Sequence, residues 1–420
     1  MWQLLRSHLK ATSWPIIAAM LALMVISVLA LRAAELADPT SRVLAGAAKR
    51  QTVYAAVALA AFLAILPVHY QRIGRLANVL FGLSIALLVA VFFVAEDVRG
   101  SQRWFDLGIV KFQPSEPAKI SYILAMAWYL RYRENYRRCR GLVVPFALTG
   151  LPFILILLEP SLGTSLLLFP TLFFMLFLAG AKLRHLLGVI AATMVLVFLP
   201  LPRSLAGMDA READNRRSLA YWVSPDRQKI LTAAPLVKMN RTQVSRIVGW
   251  LGQSDPTVAV NEGYQLFHSM VIISSGGFYG QRQSEDMNLY YRVLPDDHTD
   301  FIFAVVAGQW GLIGCAGVLL IYFFIILCGV EIASKTQDPF GRLLAVGVTA
   351  LTLVQVFINV AMTMGMMPIT GMTLPLLSYG GSSMVVTGLS LGLLVNVGQR
   401  RPVILSRKSF EFLGPEYDEV

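Results

Sequence analysis

The sequence predicts an all-α polytopic membrane protein of about ten transmembrane helices, with a long extracytoplasmic loop between the seventh and the eighth. Three observations predict it. Of the 420 residues 56% are hydrophobic, above the roughly 45–50% of soluble domains, and the mean hydropathy is +0.62. The excess is gathered into runs near the length a helix needs to cross a bilayer, about 20 residues. Several runs have no polar face, which excludes the surface helices of one soluble core. The formal net charge of +11 is placed unevenly. Lys and Arg collect in short loops on one side of the predicted helices, which points to membrane topology and not to nucleic acid.

The first run, Trp14–Ala33, follows a basic start but is longer than a secretory signal core, and further runs follow it, so it reads as a retained helix. Next come Thr52–Val68, Leu76–Val94, and the short Pro117–Leu130, with Pro117 in its first turn. Leu142–Leu158, Gly163–Gly180 and Leu186–Leu199 complete the first seven. Beyond the longest loop, residues 200–300, lie Phe301–Val330, Leu343–Thr363 and Gly380–Val397, then a tail over 398–420. Inside the loop, Tyr264–Phe278 is apolar but too short to span, and reads as re-entrant or interfacial. The whole chain, 1–420, is one transmembrane domain, with no short-period repeat and no separate soluble unit. Cys139 lies in a basic loop and Cys315 and Cys328 in one apolar run, so no disulfide framework is expected.

Charge sets the orientation. The loop after the fourth run carries Arg131, Arg133, Arg137, Arg138 and Arg140 against Glu134 alone. Lys182, Arg184 and His185 follow the sixth run, Arg6 and Lys10 precede the first, and Arg400, Arg401, Arg407 and Lys408 follow the last. An even number of spans puts all of them on one side, the cytoplasm, with both termini. The polar segments 96–116, 200–300 and 365–378 then face outward.

Those outward segments hold the unusual residues, each with a plain reading and a functional one. In "GSQRWFDLGIVKFQPSEPAKI", residues 100–120, Trp104 and Phe105 suit headgroup level and Ser115 suits an N-cap. Alternatively Arg103 and Lys119 form a cationic pocket, with Glu116 in pairing distance of Lys119, which is costly inside an apolar helix unless paired or functional. In "LLEPSLGTSL", Glu159 reads first as a tight-turn residue and second as the partner of a buried cation. "MMPITGMTLPLLSYGGSS", residues 366–383, reads first as small residues for close helix packing and second as irregular backbone lining a wet cavity. "LPDDHTDFIF", residues 294–303, sets acids against an apolar run. Thr299 or Asp300 would N-cap the eighth helix, or the carboxylates act as bases. No serine elbow or second zinc-spaced ligand accompanies His298, which argues against a nucleophile triad and a structural zinc site.

Three of these stretches, in order and spacing, resemble the SEDS family (shape, elongation, division and sporulation), typified by RodA and FtsW. They are "GSQRWFDLGIVKFQPSEPAKI", "LPDDHTDFIFAVVAGQWGLIG" and "MMPITGMTLPLLSYGGSS", and the likeness runs from about Trp14 to Val397. "AKISYILAMAWYL" and "MMPITG" look closer to the RodA branch; "TLPLLSYGGSS" looks as much like FtsW. The resemblance implies a peptidoglycan glycosyltransferase that polymerises lipid II at the outer face of the bacterial cytoplasmic membrane during elongation, releasing undecaprenyl diphosphate. It implies a class B penicillin-binding protein as crosslinking partner, the elongation or division machinery and membrane lipids as further partners, and no nucleic acid.

By the same resemblance Asp300 is the essential aspartate and general base, with Asp297 the runner-up and His298 a positioning group. Substrate contacts fall to Arg103, Trp104, Gln113, Ser115, Glu116 and Lys119, to Glu159, and to Ser378, Tyr379, Gly380, Gly381 and Ser382. The cations, with a divalent metal such as Mg or Mn, suit a departing diphosphate; no metal ligands are assigned and no organic cofactor is expected. Two departures stand out. Ser161 replaces the aspartate of the family's "QPDLGT", where this chain has "EPSLGT". Gly308, Gln309, Trp310 and Gly311 stand where the family reads "EELG". A lipid II flippase, an FtsW-type division polymerase and an inactive scaffold are the competing readings. The ionisable groups' clustering at one face, instead of along a transmembrane path, argues against the flippase.

Overall fold

The computed structural model describes residues 14–37, 44–94, 103–106, 111–133, 139–159, 161–198, 241–253, 263–281 and 299–400. All the expected apolar segments are helical there. They are α1 (Trp14–Ala37), α2 (Ala47–Ile65), α4 (Ala77–Val94), α5 (Ser115–Leu130), α6 (Val143–Leu158), α7 (Leu162–Ala179), α8 (Leu183–Phe198), α11 (Ile302–Lys335), α12 (Pro339–Thr363) and α13 (Gly381–Gln399). Among the described residues seven helices are each long and apolar enough to cross a membrane, and α5, α7 and α8 are shorter. Three smaller helices join them: α3 (Tyr70–Arg75), α9 (Arg241–Leu251) and α10 (Tyr264–Ser275). The segment expected to be re-entrant is α10; α9 carries no apolar run and was not expected. A two-residue antiparallel ladder pairs β1 (Phe105–Asp106) with β2 (Lys111–Phe112). The tail from 401 lies outside the described residues.

The core is built on α12. It is buried along most of its length and packs against α5, α7 and α11, whereas α4 buries a single stripe, Ala77, Phe81, Ser84, Leu88 and Val91, and turns its other faces outward. The closest helix pair is α2 with α13. A Cβ on Gly388 would stand 2.7 Å from the carbonyl oxygen of Ala58, and one on Gly392 would stand 2.4 Å from Ile65. Small residues at a helix contact let backbones approach, and in a bilayer that packing is itself the driving force.

The two ends of the bundle differ. At one end Tyr70 stacks on Phe340 at 6.1 Å and Trp128 meets Phe340 edge-on at 5.2 Å. The Arg131 guanidinium sits 3.0 Å over the Trp128 ring. There Asn396 and Arg400 donate to the last carbonyls of the α2 turn: Asn396 Nδ2 to Ile65 and Val68 at 2.8 and 2.7 Å, Arg400 Nη2 to Leu66 at 2.7 Å. These groups supply the acceptors' missing partners and place positive charge at a helix C-terminus, where the macrodipole favours it. Arg131 and Arg400, both from basic segments, therefore share an end.

At the other end the chain leaves helical geometry twice. Residues 364–380, between α12 and α13, are irregular yet contain buried Ile369, Met372, Leu374 and Leu377. Side chains from the helices take up their carbonyls. Gln355 Nε2 donates to Thr373 at 2.8 Å, Asn359 Nδ2 to Met372, Tyr322 Oη to Pro375, Ser27 Oγ to Leu377 at 2.6 Å, and Gln51 Nε2 to Ser378 at 3.0 Å.

The second departure corrects the expected continuous eighth span. Inside α11, Gly311 has φ 62° and ψ −157°, so the helix is broken into an inner stretch ending at Trp310 and a long remainder. The turn after α10 fills the break: Gln281 N donates to Gly308 O at 2.9 Å, Leu312 N to Gly277 O at 2.9 Å, and Ile313 N to Phe278 O at 3.2 Å. The Gly308–Gly311 stretch, where family carboxylates were missed, thus serves backbone contact.

That contact generates a test. The Gly311 conformation is essentially glycine-only, and strain of this kind costs about 1–3 kcal/mol by itself. A Cβ would also stand 2.4 Å from the Gly280 nitrogen, a backbone atom. Gly311→Ala should lower the thermal midpoint of the detergent-purified protein and its membrane yield. Gly317→Ala, where a Cβ meets nothing within 4 Å, should change neither.

Candidate functional site

Asp300 stands just ahead of an enclosed helix start: every residue from Phe301 to Gln309 is buried. Phe301 is the N-cap residue, so the N-cap position expected for Thr299 or Asp300 falls one or two residues later. The Asp300 backbone is held, its carbonyl accepting from Asn359 Nδ2 at 2.9 Å. Asn359 spends its other hydrogen bond on Met372, so one buried amide ties Asp300 to the irregular segment.

Between them lies Gly371, with φ +69°. A Cβ there would meet Arg246 Nη1 at 2.9 Å and Asp300 Oδ2 at 3.4 Å. The absent side chain leaves room that a guanidinium and a carboxylate both border. Arg246 arrives on α9, which Trp250 fastens to the irregular segment by donating Nε1–H to Gly365 O at 2.9 Å. Sequence reading missed Arg246, because it lies in the long loop outside every quoted motif.

Arg103 completes the group. Its Nε donates to the Glu159 carbonyl at 2.7 Å. Burial, and then the charge of Arg246, push its pKa down to about 10, while Asp300 and Glu159 act to raise it. Glu159 is 0% exposed, so the turn first read there is buried, and it is the backbone carbonyl of Glu159 that takes the Arg103 donor. Burial raises its carboxyl pKa to about 8 against the pull of Arg103. Neither carboxyl oxygen has a hydrogen-bond partner among the described residues. The turn after it is locked onto the irregular segment: a Cβ on Gly163 would lie 2.6 Å from the Thr370 carbonyl oxygen and 2.3 Å from Met372. Ser161 is buried and donates to Thr164 Oγ1 at 3.3 Å.

The structure thus gathers Arg103, Glu159, Arg246 and Asp300. Glu116 and Lys119 pair with each other inside α5, Nζ lying 2.9 Å from each carboxylate oxygen, with the residues 4% and 3% exposed. Ser115 does not cap α5; it is the first helical residue, Pro114 holds the N-cap position, and the buried Ser115 hydroxyl has no partner. Gln113 N donates to Ser382 Oγ at 3.2 Å, joining the first motif to the third. Ser378 Oγ accepts from Leu374 N at 2.7 Å, and Tyr379 tilts against Tyr54 at 5.8 Å. Gly381 lets the Tyr54 ring approach to 3.1 Å of its Cβ position, the packing role first read for this segment; a Cβ on Gly380 meets only Ser383, at 4.0 Å. Trp104 is half-buried. Asp297 and His298 lie outside the described residues. Among the described residues no three His, Cys, Asp or Glu side chains gather as a metal cluster.

The chain is similar to known proteins over most of its length. Residues 8–402 fit the family of FtsW, RodA and SpoVE, described as cell cycle protein. The chain is 34% identical over 329 residues to peptidoglycan glycosyltransferase MrdB of Escherichia coli K12, covering 78% of this chain and 79% of that one. It is 35% identical over 356 residues to a probable peptidoglycan glycosyltransferase FtsW of Alkalilimnicola ehrlichii, covering 83% and 79%. A solved structure described as structural coordination of polymerization and crosslinking by a peptidoglycan synthase complex superposes with a TM-score of 0.71 at 27% identity, covering 93% of this chain and 98% of the other.

The α5 ion pair is separable from the chemistry around Asp300. Removing one member of a buried pair strands the other charge and typically costs about 3–5 kcal/mol, whereas replacing both by apolar groups of similar size is often near neutral. Lys119→Ala should therefore lose folded protein in a detergent melting assay, and Glu116→Leu with Lys119→Met should recover most of it. Recovery of stability without recovery of activity would show that the pair acts on substrate as well.

Proposed function

The chain belongs to the FtsW, RodA and SpoVE family, and from that premise we propose that this multi-pass membrane protein is a peptidoglycan glycosyltransferase acting on lipid II. The observation that carries the reading is the convergence of Asp300 with two guanidiniums, Arg103 and Arg246, around the gap at Gly371. A disaccharide carried on a lipid diphosphate needs those two chemistries side by side.

Asp300 is the general base. It takes the proton from the acceptor sugar's 4-hydroxyl as that oxygen attacks the donor's anomeric carbon. The bond to the lipid diphosphate breaks, the diphosphate leaves with the electron pair, and one direct displacement inverts the configuration. Arg103 and Arg246 hold the departing diphosphate. Their charge is worth most where water is excluded, and the planar fork of arginine suits phosphate. Burial of Arg103 and the fixed backbone of Asp300 supply orientation before substrate arrives. Lys119 with Glu116, and Trp104, Gln113 and Ser382, shape the approach from the first motif. A divalent cation such as Mg binds well through one or two carboxylates plus substrate phosphates, and Asp300 is the carboxylate here that would hold it. Such an ion would add positive charge against the leaving group.

The basic residues Arg131 and Arg400 lie at the end of the bundle away from this group, which supports an extracytoplasmic site and cytoplasmic termini. A class B penicillin-binding protein fits as partner, since the superposed assembly coordinates polymerization with crosslinking. We place the activity in elongation on the stretches "AKISYILAMAWYL" and "MMPITG"; complementation of elongation-defective against division-defective cells decides between the branches.

Purified protein given lipid II, with and without a partner transpeptidase, tests the whole reading. Asp300→Asn should fold normally and lose about 10²–10⁴-fold in polymerisation, the usual worth of a base. Arg246→Ala and Arg103→Ala should both weaken lipid II binding, Arg103→Lys less than Arg103→Ala. Wild-type turnover in Asp300→Asn sinks the base assignment. Transfer of lipid II across vesicle membranes without polymer would favour the flippase.

A further inference from the structure

We propose that Glu159 is a positioning residue for Arg103: its backbone carbonyl aims the guanidinium, and its side chain decides how much of that cation's charge an anionic substrate meets. The inference rests on the glycosyltransferase reading for the identity of the substrate, and on the geometry for the rest. Arg103 donates Nε–H to the Glu159 carbonyl at 2.7 Å, which fixes the plane of its guanidinium beside the turn. The Glu159 side chain is 0% exposed with neither oxygen hydrogen-bonded among the described residues, and Gly163, four residues on, packs closely against the Thr370 carbonyl and Met372.

Among the described residues, the charges around Arg103 are Glu159 from the end of α6, Arg246 from α9 and Asp300 ahead of α11. With Glu159 protonated, two arginines face one aspartate, and the surplus positive charge is open to a diphosphate. With Glu159 ionised the group is neutral, and Arg103 has a counter-ion of its own. Burial holds the proton up to about pH 8, so at neutral pH the surplus persists.

The sign follows directly. An anionic substrate favours neutral Glu159, so binding near pH 8 should take up to one proton from solution, and affinity should fall as pH rises above that value. One linked proton costs at most about tenfold in affinity per pH unit. The experiment uses the full-length detergent-purified protein, with lipid II and undecaprenyl diphosphate as probes, and calorimetry in buffers of different ionisation heat. Wild type should show the falling limb and proton uptake. Glu159→Gln should bind as well as wild type at pH 7 and lose both, while Asp300→Asn should keep both. A limb unchanged in Glu159→Gln, or a pH-independent loss of affinity in it, overturns the proposal. If Glu159→Gln does not fold, absence of proton uptake by wild type near pH 8 overturns it alone. Proton-linked binding without any polymerisation would leave this inference standing and remove the glycosyltransferase reading.

Discussion

A backbone that leaves helical geometry inside a bilayer-embedded protein must find partners for every amide and carbonyl, because no solvent will supply them. Residues 364–380 and the break at Gly311 meet that demand in two ways. The first segment is held by side chains buried for the purpose, Ser27, Gln51, Tyr322, Gln355 and Asn359, drawn from four helices. The second is held by main chain against main chain, which works because Gly280 and Gly311 leave no side chain between the strands of contact. The helix packing elsewhere presents those donors at the right depth.

The charged site is a by-product of that solution. Asn359 pairs a carbonyl on each side and so fixes Asp300 against the irregular segment. Trp250 pins α9 to Gly365, and Arg246 on the same helix borders Gly371. The Glu159 turn seats on Thr370 and delivers Arg103. Four ionisable groups from four distant stretches meet because each stretch satisfies backbone of the same segment or packs on it. The desolvation that makes such a cluster costly is also what makes its charges effective toward a substrate.

Much of this was legible in the sequence. The apolar runs gave the helices to within a few residues, since a bilayer leaves hydropathy little competition from tertiary effects. The Tyr264 segment read as too short to span, and it forms the short helix α10. Asp300 and Arg103 lay in motifs whose residue types sit oddly beside apolar runs. Three features were hidden, for identifiable reasons. Arg246 sits on a helix of mixed polarity in a long loop, and only the tertiary bond of Trp250 gives it a place. Glu159 reads as a turn residue until the turn is seen buried. The Gly311 break is silent because hydropathy continues unbroken through it, and a lone glycine in a helical run is usually tolerated.

The seam between α10 and α11 has a mechanical side. Three main-chain bonds clamp the turn after α10 to Gly308, Leu312 and Ile313, and Ser269 of α10 holds Thr363 O at 3.0 Å. The described part of the long loop is therefore built into the bundle: α10 and the turn after it are joined by main-chain bonds to α11 on both sides of the Gly311 break and by Ser269 to the end of α12, so the helix start that follows Asp300 is braced from two directions.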